Sequence, residues 1–63
     1  MLFRSDLEDA LTECLYLALI EKDEDKKEIF TRMAVSMSTN LDEKQVDRSK
    51  DYAVYRAKQA LPR

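Results

Sequence analysis

Apolar residues recur at helical spacing in three stretches of the chain. From Leu7 onward, Ala10, Leu11, Cys14, Leu15, Leu17 and Ala18 share one broad face of a helix turning about 100° per residue. Glu8, Asp9, Thr12 and Glu13 fall on the opposite, polar side of that helix. Its start is marked by Ser5-Asp6-Leu7-Glu8, which has the form of a capping box. Asp6, Glu8 and Asp9 lie in the first turn, where the helix dipole favours anions. The pattern changes near the end, because Tyr16, Leu19 and Ile20 point away from the main stripe. From Cys14 to Ile20 the helix is apolar all round. A helix of that kind is normally enclosed on every side, and two short neighbouring helices are expected to fall short of enclosing it.

The second stretch follows a charged run from Glu21 to Glu28, in which Asp23 can cap a new helix and Glu24 and Asp25 suit its first turn. Ile29, Phe30, Met33, Ala34 and Met37 share a face there. That stripe is rotated by roughly 90° from the first when the helical count is continued, so a break at Asp23 fits the phase better than one helix from Asp6 to Ser38. No proline or glycine enforces the break, and the single long helix stays open as an alternative.

The clearest interruption is Ser36-Met37-Ser38-Thr39-Asn40, whose short polar side chains compete for backbone hydrogen bonds. Thr39 or Asn40 is expected to take the left-handed or capping role that glycine usually fills. A third helix is expected from about Leu41 to Ala60, ended by Pro62. Its face of Val46, Ser49, Ala53, Ala57, Ala60 and Leu61 is made mostly of small residues, so another helix can approach closely. The periodicity therefore predicts an all-α fold of two to three short helices, about residues 6–22, 24–38 and 41–60. They form a single small domain over 1–63, a helical hairpin or small bundle completed by oligomerisation.

Composition narrows what such a chain can do. The 63 residues contain no glycine, no histidine, one proline and one cysteine. Glycine supplies tight turns and phosphate cradles, and histidine moves protons near neutrality; without them most catalytic and nucleotide-binding motifs cannot be written. Cys14 has no second cysteine to pair with, and a structural zinc site needs several Cys or His ligands. An EF-hand loop is missing its central glycine, so Asp23, Glu24 and Asp25 read as helix capping and solubility. No catalytic residue, cofactor or metal site is expected, and the chain is not expected to be an enzyme. Cys14 reads as a small buried hydrophobe. A lone cysteine fits a reducing compartment, which together with the lack of a membrane-length apolar run or a signal-like start suggests a cytoplasmic protein.

A chain this short buries only about 60 % of its unfolded surface, and neither disulfide nor metal is present to reinforce it. Self-association, as a homodimer or higher assembly, or docking on a larger protein is the remaining route. The candidate residues for that contact, whether oligomer or core, are Leu15, Tyr16, Leu19, Ile20, Phe30, Met33 and Met37. Charge is segregated along the chain, −6 over residues 1–25 and +4 over residues 26–63. Such polarity suits antiparallel or head-to-tail self-association, or one acidic and one basic binding surface; a chance outcome on a highly charged helical surface is the bland alternative. A second candidate surface is the outer face of the third helix, where Lys44, Arg48, Tyr52, Tyr55 and Arg56 cluster opposite the alanines. Arg and Tyr are enriched at protein interface hot spots, and the same types can stack on nucleotides.

The leading expectation is thus a protein–protein interaction module: an adaptor, inhibitor or regulatory subunit presenting helical faces to itself or to a larger partner. Small phage and mobile-element regulators share this size and make-up, an analogy of type only. The alternative is a small nucleic-acid-associated regulator using the basic and aromatic face. Asp47, Asp51 and the net charge of −2 weigh against nucleic acid.

Overall fold

The backbone follows three helices in the computed structural model, which describes residues 6–60. Helix α1 is Asp6–Ile20, α2 is Glu24–Ser38 and α3 is Glu43–Ala60. Among the described residues there is no strand. Ser5 of the expected first cap, and Leu61 and Pro62 at the expected end, lie outside the described residues.

The two connections are made without glycine, each by a local side-chain device. Between α1 and α2 lie only Glu21, Lys22 and Asp23. Asp23 takes extended backbone geometry (φ −81°, ψ 120°), and its Oδ1 accepts from the amides of Asp25 at 2.9 Å and Lys26 at 3.4 Å. Those are amides at the start of α2 that no helical carbonyl can reach. The long-helix alternative is therefore set aside, and α1 stops at Ile20, two residues earlier than expected. A three-residue link forces α2 to return antiparallel to α1.

At the other end of α2, the Ser38 and Thr39 hydroxyls donate to the carbonyls of Val35 and Ser36 at 2.7 and 2.8 Å. The amides of Asn40 and Leu41 reach Met37 and Ser38 three residues back. Thr39 stays right-handed (φ −67°, ψ −17°), and no described residue has a positive φ. Of the two roles expected of Thr39 or Asn40, Thr39 takes the capping one, and the left-handed one is replaced by hydroxyl back-bonding and a 3₁₀-like last turn. Helix α3 starts at Glu43 rather than Leu41, because Asp42 is its cap. The Asp42 carboxylate accepts from the Gln45 amide at 2.9 Å, and the Gln45 side chain accepts from the Asp42 amide at 3.0 Å. This is a reciprocal capping box.

Helix α1 is the centre of the fold. It packs against α2 on one side and α3 on the other, whereas α2 and α3 scarcely meet. Partners of α1 on α3 climb in step, with Glu8 against Gln45, Arg48 and Ser49, and Glu13 against Arg56. The two helices therefore run parallel. Leu11, Cys14 and Ala34 form the buried cluster, with Leu15, Met37, Leu41 and Val46 packed against it. Ser49, Ala53 and Ala57 are buried along α3, so its small-residue face is the contact face, while Ala60 is exposed.

The central position of α1 accounts for its apolar last turns. Cys14 and Ala18 are buried, Leu15, Tyr16, Leu17 and Ile20 are half-buried, and Leu19 alone is exposed. Two neighbours on different sides cover more of this run than its all-round pattern led us to expect. The same geometry overturns the reading of α1's polar side. Glu8 and Thr12 are 4 % and 1 % exposed, since that side faces α3.

Candidate functional site

The seam between α1 and α3 is small and polar, and it joins Ser49 of the expected contact face to groups that the helical pattern set on polar faces. Oε1 of Glu8 accepts from Arg48 Nη2 at 2.9 Å and from Gln45 Nε2 at 3.0 Å. The Glu8 carbonyl accepts from the Thr12 hydroxyl at 2.9 Å and from the Ser49 hydroxyl at 3.4 Å. Buried polar atoms must be satisfied in this way or their desolvation is uncompensated. Farther along, Arg56 Nη1 donates to Glu13 Oε1 at 2.6 Å, and its guanidinium lies 4.3 Å from the centre of the Tyr16 ring. The hydrogen bond to Glu13 pushes the Arg56 pKa further above its ordinary value, with the nearby charge adding to it.

These contacts redraw the expected outer face of α3. Arg48 and Arg56, expected to point away from the bundle, each reach a carboxylate of α1, Arg56 from a half-buried position and Arg48 with its side chain still 66 % exposed. Lys44 and Tyr55 do face outward, and Tyr52 is about half-exposed. The segregated charge is likewise used within the chain: acidic α1 lies beside basic α3. It therefore no longer argues for head-to-tail association. Of the apolar candidates, Leu15 and Met37 belong to the core, Tyr16 lies against Arg56, and Ile20 and Phe30 are half-buried. Leu19 and Met33 remain exposed. Ile29 is 55 % exposed one turn before Met33, so the edge of the α2 stripe is an apolar ridge open to solvent. Val35, at 60 %, stands on another side of α2.

Glu8, Thr12, Gln45 and Ser49 were not read as a connected group in the sequence. For Glu8 the signal is the excess of acids on α1 against the excess of bases on α3, whereas the uncharged Thr12, Gln45 and Ser49 carry none.

No group of three or more His, Cys, Asp or Glu side chains among the described residues is placed to hold a metal ion. A shallow depression lined by Glu24, Asp25, Lys27, Glu28 and Thr31 lies on the first turns of α2 alone and is open to solvent. No described helix is long and apolar enough to cross a membrane.

Cys14 is buried, and its thiol pKa is raised, first by loss of solvation and second by the charge of Glu13. A raised pKa means that the folded state favours the neutral thiol. The stability it contributes is complete below the ordinary thiol range, about 8.5, and is lost as pH climbs through the folded value. Cys14 is therefore expected to react with a thiol reagent at neutral pH far more slowly than an unfolded control. Urea melts should also show stability falling above about pH 8.5, with a flatter fall in Cys14→Ala. Reaction at the unfolded rate under native conditions would contradict the burial.

No family model matches the chain, and neither a curated protein nor a solved structure is found similar to it.

Proposed function

We propose that this chain is a non-enzymatic protein–protein interaction module, presenting helical faces to a second copy of itself or to a larger protein. The observation that carries this reading is the make-up of its core. The largest fully buried side chains are Leu11, Thr12 and Ser49, and the other buried apolar residues are Cys14 and four alanines. Large apolar groups that ordinarily fill a core stay outside: Leu19, Ile29, Met33 and Val35 are all exposed. A domain of this size has a small margin of stability to begin with. Covering its exposed apolar groups in an assembly adds burial that the lone chain lacks. The nucleic-acid alternative loses support, since Arg48 and Arg56 are each engaged by a carboxylate.

Anything that binds the folded state raises apparent stability by mass action. The melting temperature of the purified chain is therefore expected to rise with its own concentration, or on addition of the protein it serves. Sedimentation over the same range should show growth in mass. A melting temperature independent of concentration from low micromolar to millimolar, with monomeric sedimentation throughout, would count against self-association.

A further inference from the structure

The geometry points to a specific way for two copies to associate: exchange of α3, each copy's α3 docking on the α1 of the other. The inference rests on the self-association reading above and gives one route to it, through the seam already made within the chain and not through the exposed residues of α2. Three observations carry it.

First, α3 is held almost wholly by α1, since α2 and α3 scarcely meet. Moving α3 away therefore gives up that seam, together with the packing of Leu41 in the connection on the core cluster, and a second copy restores the seam residue for residue. Glu8 again meets Gln45, Arg48 and Ser49, Glu13 again meets Arg56, and the small face of Ser49, Ala53 and Ala57 again closes on α1. Complementarity is guaranteed because the docking element is the same.

Second, the connection between α2 and α3 is close to helical already. Thr39 is right-handed, and the amides of Asn40 and Leu41 bond to carbonyls three residues back. No glycine occurs anywhere in the chain, and its only proline is at position 62. Nothing between Glu24 and Ala60 therefore forbids a continuous helix of roughly 37 residues, about 55 Å long. The Ser38 and Thr39 hydroxyls close the last turn of α2, and the capping box of Asp42 and Gln45 is what begins α3 as a separate helix. Straightening Asn40–Asp42 would fuse the two helices and carry α3 away from its own α1.

Third, the directions agree. Helix α1 runs antiparallel to α2 and parallel to α3. A straightened α2–α3 helix pairs with a second one only in the antiparallel sense if each α1 is to keep an antiparallel α2 on one side and a parallel α3 on the other. An antiparallel pair related by a twofold axis near the connection satisfies both copies at once, giving a closed dimer. Exchange of an identical element is a low-cost route to such a dimer, because it reuses contacts that the single chain already makes.

Two substitutions at the connection separate the closed from the exchanged form. Glu43 is the first residue of α3, a position where proline is accepted and whose amide needs no helical partner. Glu43→Pro is thus compatible with the closed chain but breaks a continuous α2–α3 helix. Asp42→Ala acts oppositely: it removes a cap needed only by the closed form. An ordinary cap corresponds to roughly fivefold per connection, and so to roughly 25-fold for two.

In sedimentation equilibrium of the full chain, the wild type is expected to dimerise, Asp42→Ala to do so with a dissociation constant roughly 25-fold lower, and Glu43→Pro to remain a helical monomer by circular dichroism. If Glu43→Pro dimerises as the wild type does, or Asp42→Ala leaves the dissociation constant unchanged, α3 exchange is overturned and self-association stands through another face. If both the wild type and Asp42→Ala stay monomeric to millimolar concentration, exchange and self-association fall together.

Discussion

Leu11→Ala is expected to destabilise the chain by about 3 kcal/mol, within the range for truncating an enclosed leucine. Leu11 is 1 % exposed and, among the described residues, is the one large apolar side chain that is fully buried. It lies in the cluster with Cys14 and Ala34, and Leu15, Met37, Leu41 and Val46 surround that cluster. Two of the three cluster members are small, so little side-chain volume is at hand to fill the space that Leu11 leaves. The missing methyl groups would then cost both their transfer energy and a cavity. For a domain of 63 residues, total stability is on the order of 3–9 kcal/mol. A single truncation therefore removes a third or more of it. Thermal denaturation should show a drop of about 15 °C, at one fixed protein concentration. Ile29→Ala and Met33→Ala, on exposed positions of α2, should change the monomer by less than about 0.5 kcal/mol. Equal losses at Leu11 and Ile29 would contradict the assignment of the core.

Glu8→Ala is the second large effect, expected at about 2 kcal/mol. The two ion pairs on the α1–α3 seam look alike in distance but differ in setting. The Glu13 and Arg56 side chains are 53 % and 35 % exposed, so water competes for both and the pair is worth at most about 1 kcal/mol. The Glu8 side chain is 5 % exposed and receives two side-chain donors on one oxygen. Hydrogen bonds to a charged group contribute about 1.5–3 kcal/mol, and here they join α1 to α3 where the remaining contact is mostly alanine and serine. Glu8→Gln keeps an acceptor oxygen but not the charge, and should fall between wild type and Glu8→Ala. Chemical denaturation of Glu8→Ala, Glu8→Gln and Glu13→Ala tests the ranking. A loss at Glu13 as large as that at Glu8 would show that burial does not separate the two pairs.

The same seam shows where sequence reading reached its limit. A helical wheel assigns each helix one apolar face and one polar face, which suits a helix with one neighbour. Helix α2 has one principal neighbour, and Ala34 and Met37 on its stripe are indeed the residues that pack inward. Helix α1 has two neighbours and buries two faces. One face is apolar, around Leu11 and Cys14. The other carries Glu8 and Thr12, whose polarity is matched by Gln45, Arg48 and Ser49 rather than by water. Arg48 and Arg56 were legible as a basic cluster, but their long side chains can reach either outward or back to α1. Only the neighbouring carboxylates decide between the two.

By itself the sequence determined what depends on local physics. Two to three helices, the interruption after Ser36 and the small face of α3 all follow from helical spacing, capping residues and the lack of glycine, whereas one helix or two over residues 6–38 stayed open until the structure showed Asp23 capping α2. These act within one or two turns of chain, so a single strand of residues carries them, and the helix ends came within two residues. The tertiary structure decided what depends on which helices meet. It placed α1 between the other two, buried Glu8 and Thr12, paired Arg48 and Arg56 with carboxylates of α1 and left Ile29 and Met33 outside. The physical reason is that burial and ion pairing are properties of two surfaces in contact. Charges forty residues apart attract no differently within a chain than between chains, and only the packing of α3 along α1 shows that these are met within one chain.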